Sequence, residues 1–85
     1  MSSVMPDLHA RVVARLTQAR GAAKLRQVDL ADRLGWQQAY VSRYETGERS
    51  LAVDEYVAVA RAIGVDPIKL LADVLREEGN KTQPG

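Results

Sequence analysis

Residues 27–47 read QVDLADRLGWQQAYVSRYETG, and this stretch decides the fold. From Gln27 to Leu34, the apolar Leu30, Ala31 and Leu34 share one face of a short helix. Gly35 follows, and a tight turn that needs positive φ suits a residue without Cβ. A second short helix starts near Gln38 and ends before Gly47. Two short helices packed at a steep angle need a small side chain where they nearly touch, and Ala31 supplies it. Leu30 and Val41 plug the angle, with Leu34 and Tyr44 behind them. The outer face then carries Gln38, Ala39, Ser42 and Arg43. Amides and a guanidinium displayed together suit base edges in a DNA groove better than they suit catalysis. A helical hairpin with no role on DNA shares the small residue, the glycine and the β-branched residue, so those three positions alone leave both readings open.

The helical pattern extends outward in both directions. Pro6-Asp7 marks the first start, and Leu8, Val12, Leu16 and Ala19 recur at helical spacing to about Arg20. Gly21-Ala22-Ala23-Lys24 reads as its C-terminal cap and connection. After a loop at Gly47-Glu48-Arg49-Ser50, a fourth helix covers roughly Val53 to Ile63, with Tyr56, Val57, Ala60 and Ile63 inward and Gly64 as the stop. Asp66-Pro67 is an N-cap followed by proline at the first helical position. A fifth helix carries Ile68, Leu70, Leu71, Val74 and Leu75 to about Glu78. Residues 79–85 lack apolar side chains and read as a frayed tail, which leaves 1–78 as the single domain. The fold class is all-α, a five-helix bundle with a helix-turn-helix in its second and third helices.

Composition sets the outer limits. The chain has 85 residues, 46% of them hydrophobic, which supports one compact but thin core. It has no cysteine, so neither a disulfide framework nor a thiolate metal site is expected. The opening MSSVMPDLHA has no apolar run of the signal-peptide type, and no stretch approaches the roughly 20 apolar residues that span a membrane. A cytoplasmic location is expected. Asn80-Lys81-Thr82 matches a glycosylation sequon and, with no secretory signal, reads as chance. Net charge is only +1, but it is unevenly spread: residues 1–50 hold eight Lys/Arg against five Asp/Glu, and residues 51–85 hold four against six. The basic half contains the candidate motif, although solvation of helix faces accounts for such an excess equally well.

Taken in order, Leu25-Arg26-Gln27-Val28-Asp29-Leu30-Ala31, Leu34-Gly35, Val41 to Arg49, Tyr56 to Asp66 and Leu70-Leu71 resemble the lambda-repressor/Cro-type (XRE-like) helix-turn-helix regulators. The match covers roughly Val12 to Leu71. The resemblance implies a five-helix fold that docks its third helix in the major groove. It further implies a homodimer on an inverted-repeat operator about 34 Å between half-site centres. Repression is the expected output, with no cofactor.

Residue roles follow from the resemblance and from side-chain chemistry together. Gln38 is the first candidate base reader, since its amide presents a donor and an acceptor to adenine. Ala39 either touches a thymine methyl or is only a good helix former. Arg43 either forks onto guanine or pairs with phosphate, and Ser42 reaches a base or a phosphate oxygen. Gln27, at the start of the second helix, has a family counterpart that contacts phosphate. Gln37 is expected to cap the third helix where the family prefers Ser or Thr; Gln is a poorer cap, so a DNA backbone or base contact is its compensating use. The Tyr40 hydroxyl reaches phosphate, or its ring only covers the core edge. Arg49 and Lys24 are candidate phosphate contacts, with surface solvation as the alternative. Arg20 and Glu45 occupy the places of a family ion pair between the first and third helices. Three positions depart from the family: Arg26 replaces a Ser/Thr cap, Trp36 replaces a small aliphatic residue, and Leu51 replaces a common proline.

Other classes fit less well. His9 is the only histidine and is expected to be exposed. There is no phosphate-binding Walker loop, nucleophile elbow or zinc-binding helix motif, so no enzyme and no metal site are expected. The carboxylate pairs Asp29/Asp32 and Glu77/Glu78 suit helix caps and solvated faces. The rival reading is an antitoxin or adaptor whose bundle mainly binds another protein. The fifth helix, through Leu71, Val74 and Leu75, is the expected dimer surface.

Overall fold

The computed structural model describes residues 6–82 as five helices: α1 (Pro6–Ala22), α2 (Gln27–Leu34), α3 (Gln38–Thr46), α4 (Val53–Ile63) and α5 (Pro67–Thr82). There is no strand among the described residues. α2 and α3 form the helix-turn-helix; α1 packs along α5, and α4 packs against α2. Every helix sends side chains into one core: Val12, Val13 and Leu16 from α1, Leu30 and Ala31 from α2, Val41 and Tyr44 from α3, Val59, Ala60 and Ile63 from α4, Leu70 and Val74 from α5. Among the described residues this core is apolar apart from the Tyr44 hydroxyl, so apolar burial carries it, at about 1.5–3 kcal/mol per large side chain. Val13 and Val59 were not expected inside. Tyr56 and Val57 lie only half-buried, and Ile68 and Leu75 face outward. The Tyr44 phenol is buried without a hydrogen-bond partner among the described residues, and burial pushes its pKa up.

The turns explain the helix ends. Gly35 has φ 70°, and the Trp36 amide reaches back to the Ala31 carbonyl at 2.9 Å, closing α2. Gly64, at φ 99°, closes α4 in the same way through Val65 and Ala60. α1 behaves differently from expectation: Gly21 stays inside the helix, which runs to Ala22, and the left-handed residue is Lys24, at φ 62°. The stop is set by Arg20, whose carbonyl accepts the Leu25 amide at 3.1 Å while its Nη1 donates to the Leu25 carbonyl at 2.7 Å. This double link places the cap at residue 24 whatever stands there. A left-handed L-residue costs roughly 1–2 kcal/mol, and glycine escapes most of it. Lys24→Gly is therefore expected to raise stability by about 0.5–1 kcal/mol. In urea unfolding it should raise the midpoint at unchanged slope; an unchanged or lowered midpoint contradicts the strain.

α5 continues to Thr82, four residues beyond its expected end. Adding a residue to an existing helix forms one bond at little cost, and Gly79 alone does not halt that propagation. The rest of the expected tail, 83–85, lies outside the described residues. His9 is a second correction. It is half-buried, and its Nε2 accepts the Leu51 amide at 3.0 Å, tying α1 to the loop after α3. A proline at position 51 has no such proton to give.

Two helix starts lack an accepting cap side chain. Arg26 precedes α2 and Ala52 precedes α4, and neither side chain can accept a backbone proton. Instead the carboxylate three residues on accepts the cap residue's own amide: Asp29 from Arg26 at 2.8 Å, Glu55 from Ala52 at 2.9 Å. Asp29 also holds the Arg26 guanidinium at 2.9 Å. These bonds, the guanidinium first, hold the Asp29 carboxyl down at about 2, and the Arg49 guanidinium likewise lowers Glu55. The unfolded carboxyls, at about 4, take up protons first as acid is added. Their stabilisation is therefore present above about pH 4 and is lost as the pH falls below it, for Asp29 toward about 2. Asp29→Asn should flatten that limb of the stability–pH curve; a curve that keeps its full slope contradicts the assignment.

Candidate nucleic-acid interface

The outer surface of α3 starts at Gln37, whose extended backbone occupies the N-cap position but whose side chain makes no capping bond. Its amide is left exposed, so its expected capping role is not taken up by the side chain. Gln38, Ala39 and Arg43 are exposed, and Ser42 is half-buried beside them. Arg43 and Lys24 are exposed and take no ion-pair partner among the described residues.

A chain of hydrogen bonds runs from the interior to this face. Arg20 of α1 meets Glu45 of α3 through two parallel bonds, Nε to Oε2 at 2.7 Å and Nη2 to Oε1 at 3.0 Å. The pair is largely buried, with 17% of the Arg20 side chain and 5% of the Glu45 side chain exposed. Glu45 raises the Arg20 pKa. Glu45 Oε1 also accepts Gln27 Nε2 at 2.9 Å, and Gln27 Oε1 accepts Gln38 Nε2 at 3.0 Å. Gln38 thus holds its amide plane with one N–H, keeping its second N–H and its carbonyl oxygen for a ligand. That remaining donor–acceptor pair matches the major-groove edge of adenine.

Two candidate phosphate contacts have protein partners. The Gln27 side chain gives one amide hydrogen to Glu45 and accepts one from Gln38, which leaves its second N–H for a phosphate. Its main-chain amide, in the first turn of α2, has no helical partner and remains a donor. Arg49 is not a free cation: Nη2 donates to Glu55 at 2.7 Å, and the guanidinium carbon lies 4.6 Å from the Tyr40 ring centroid. Tyr40 stands on the flank of α3 at 42% exposure, and Trp36 meets it edge-on at 6.1 Å while packing against the core. The link between Gln27 and Gln38 was missed from the sequence. Its one visible sign is a glutamine at the first position of each of two helices joined by a tight turn.

Among the described residues no group of three or more His, Cys, Asp or Glu is placed to hold a metal ion. No described helix is long and apolar enough to cross a membrane.

Comparison with known proteins agrees with this geometry. The profile of a helix-turn-helix domain family matches residues 11–74, from α1 into α5. Among solved structures the chain is similar to an XRE-family like protein from Pseudomonas syringae pv. tomato str. DC3000. The two are 36% identical with a TM-score of 0.83, over 87% of this chain and 90% of that one. No curated protein matches it. The matched span contains both helices of the motif, the glycine turn and the helices that brace them, and the chain belongs to the XRE-like family of helix-turn-helix DNA-binding regulators.

Proposed function

We propose that the protein is a sequence-specific repressor that reads the major groove of duplex DNA with α3. The observation that carries this reading is the exposed Gln38 amide, anchored through Gln27 to the buried Arg20–Glu45 pair. A base reader held by its neighbours loses little side-chain freedom on binding. Gln38 reads adenine, Arg43 guanine, Ala39 a thymine methyl, and Ser42 a base or phosphate oxygen. Gln37, Tyr40, Lys24 and the Gln27 main-chain amide meet the phosphate backbone. Repression needs only occupancy, since a bundle seated in the groove blocks whatever else uses that DNA.

One α3 covers too few base pairs for tight recognition, so the active species is a homodimer on an inverted repeat. Of the expected dimer surface, Val74 is fully buried, Leu75 is exposed at 42%, and the half-buried Leu71 lines the groove described next. The most exposed large apolar residues are Val53, at 81%, and Ile68, at 78%. They rim a groove of about 760 Å³ between α1, α4 and α5, which Leu51, five residues beyond α3, also lines. A two-fold dimer could seat the protruding side chain of each copy in the hollow of the other. The same groove is what an antitoxin or adaptor would offer a partner protein. Selection of random duplexes by the purified protein, followed by sequencing, tests the function. An inverted-repeat motif supports a dimeric reader; no enriched motif, with affinity insensitive to salt, favours the adaptor.

A further inference from the structure

We propose that Arg49 and Trp36 are positioning residues that clamp Tyr40, and that Arg49 supports DNA binding through that ring without touching DNA. The inference rests on the DNA-binding reading and names what sets one of its phosphate contacts.

The clamp has two sides. Trp36, between α2 and α3, presents itself edge-on to Tyr40 at 72° between ring planes. Arg49, in the loop after α3, lays its guanidinium over the same ring. Arg49 is itself fixed at both ends: its main-chain amide donates to the Arg43 carbonyl at 3.2 Å, and its Nη2 donates to Glu55 at 2.7 Å. Glu55 is held in turn by the Ala52 amide at the start of α4. Arg49 Nη1 is buried and meets no oxygen or nitrogen acceptor among the described residues. With the guanidinium stacked on Tyr40, the π face is the partner that replaces one.

The consequence for Tyr40 is a ring with little freedom and a hydroxyl with no protein partner among the described residues. It stands two residues from Gln38, on the same helix as the base-reading face. A preorganised O–H donor there can bond a phosphate oxygen at small entropic cost. Arg49 is poorly suited to do this itself. Reaching a phosphate would break its bond to Glu55, leave that carboxylate beside the polyanion, and remove the cation from the ring. The usual assumption that an arginine beside a recognition helix neutralises a phosphate therefore fails here.

The test is a double-mutant cycle on the full chain, with a labelled duplex of arbitrary sequence titrated across a salt series. Phosphate contacts do not depend on base sequence, so no operator is required. Arg49→Met should weaken binding about five- to tenfold in the unaltered background and less than about twofold on top of Tyr40→Phe. The slope of log affinity against log salt should stay unchanged, because no cation leaves the phosphates. Arg49→Lys keeps a cation near the ring and should recover most of the loss. The fluorescence of Trp36, the single tryptophan, should change with Arg49→Met, while circular dichroism at the assay temperature confirms the fold. A loss that persists in the Tyr40→Phe background overturns the proposal, whether Arg49 acts on DNA directly or by general destabilisation. A slope reduced by about 0.9 identifies the first of these. If the unaltered protein binds no duplex at any salt, the DNA-binding reading itself falls and the clamp falls with it.

Discussion

Glu45→Ala is expected to lower the stability of the protein by about 2–3 kcal/mol. The residue accepts three hydrogen bonds, two from Arg20 and one from Gln27. Its removal leaves the Arg20 guanidinium mostly out of water with no counter-charge, still tied by Nη1 to the Leu25 carbonyl. Stranding one member of a fully buried pair costs about 3–5 kcal/mol, and an exposed pair is worth about 1 kcal/mol or less. Arg20 keeps 17% of its side chain in solvent, which places the effect below the fully buried range. Urea unfolding followed by Trp36 fluorescence measures it, and a loss under about 1 kcal/mol would mean that water already satisfies the guanidinium. The double variant Arg20→Met with Glu45→Met separates the pair from its parts. Two apolar side chains of similar reach should recover much of the loss, since the cost lies in an unpaired charge and not in the absence of a pair. That variant should still bind DNA worse than the unaltered protein, because Gln27 has lost the acceptor that holds it.

Gln38→Ala is expected to weaken binding to the selected operator by about 1–3 kcal/mol, roughly five- to 150-fold, and to leave binding to scrambled duplex unchanged. The side chain is neutral, so the salt slope should not move. Equal losses on both duplexes would assign Gln38 to the backbone and not to a base. Gln27→Ala sharpens the assignment. The structure routes the Gln27 side chain into Gln38, so its loss should fall mainly on the operator. The two substitutions should be clearly less than additive, as residues in one hydrogen-bond network are. Additive losses, or a Gln27 effect shared by both duplexes, would return that side chain to a phosphate role.

The parts of this molecule that sequence describes well are those settled within one helical turn. Gly35 and Gly64 end their helices because the left-handed cap is a local backbone requirement, and glycine meets it most easily. The bounds of α2 and α4 follow from such punctuation. Where punctuation misleads, bonds or packing beyond one turn decide. Gly21 invites a cap, yet Arg20 grips Leu25 from both directions and moves the cap to Lys24. In α5 an apolar repeat shows that a helix exists, but it does not show which of Ile68, Leu70, Leu71, Val74 and Leu75 meets the core. That depends on how α1 lies along it.

The candidate site divides in the same way. Side-chain types along α3, and their spacing on one face, make an exposed polar face legible from sequence, because a helix presents every third or fourth residue together. The partners of those side chains do not follow from spacing. Arg49 and Glu55 are six residues apart, Gln27 and Gln38 eleven, Arg20 and Glu45 twenty-five, His9 and Leu51 forty-two. Each pair joins different elements, so its distance depends on how the helices pack.

By itself, then, the amino-acid order determined five helices, a glycine corner and the polar face of the third helix, because each of these is an energy of neighbouring residues. Only the tertiary structure decided that Gln27 serves Gln38, that Arg49 covers a tyrosine, and that Val53 and Ile68 stand in water. Those outcomes depend on which groups packing brings within hydrogen-bond reach or removes from solvent, and short-range forces act only once that packing exists.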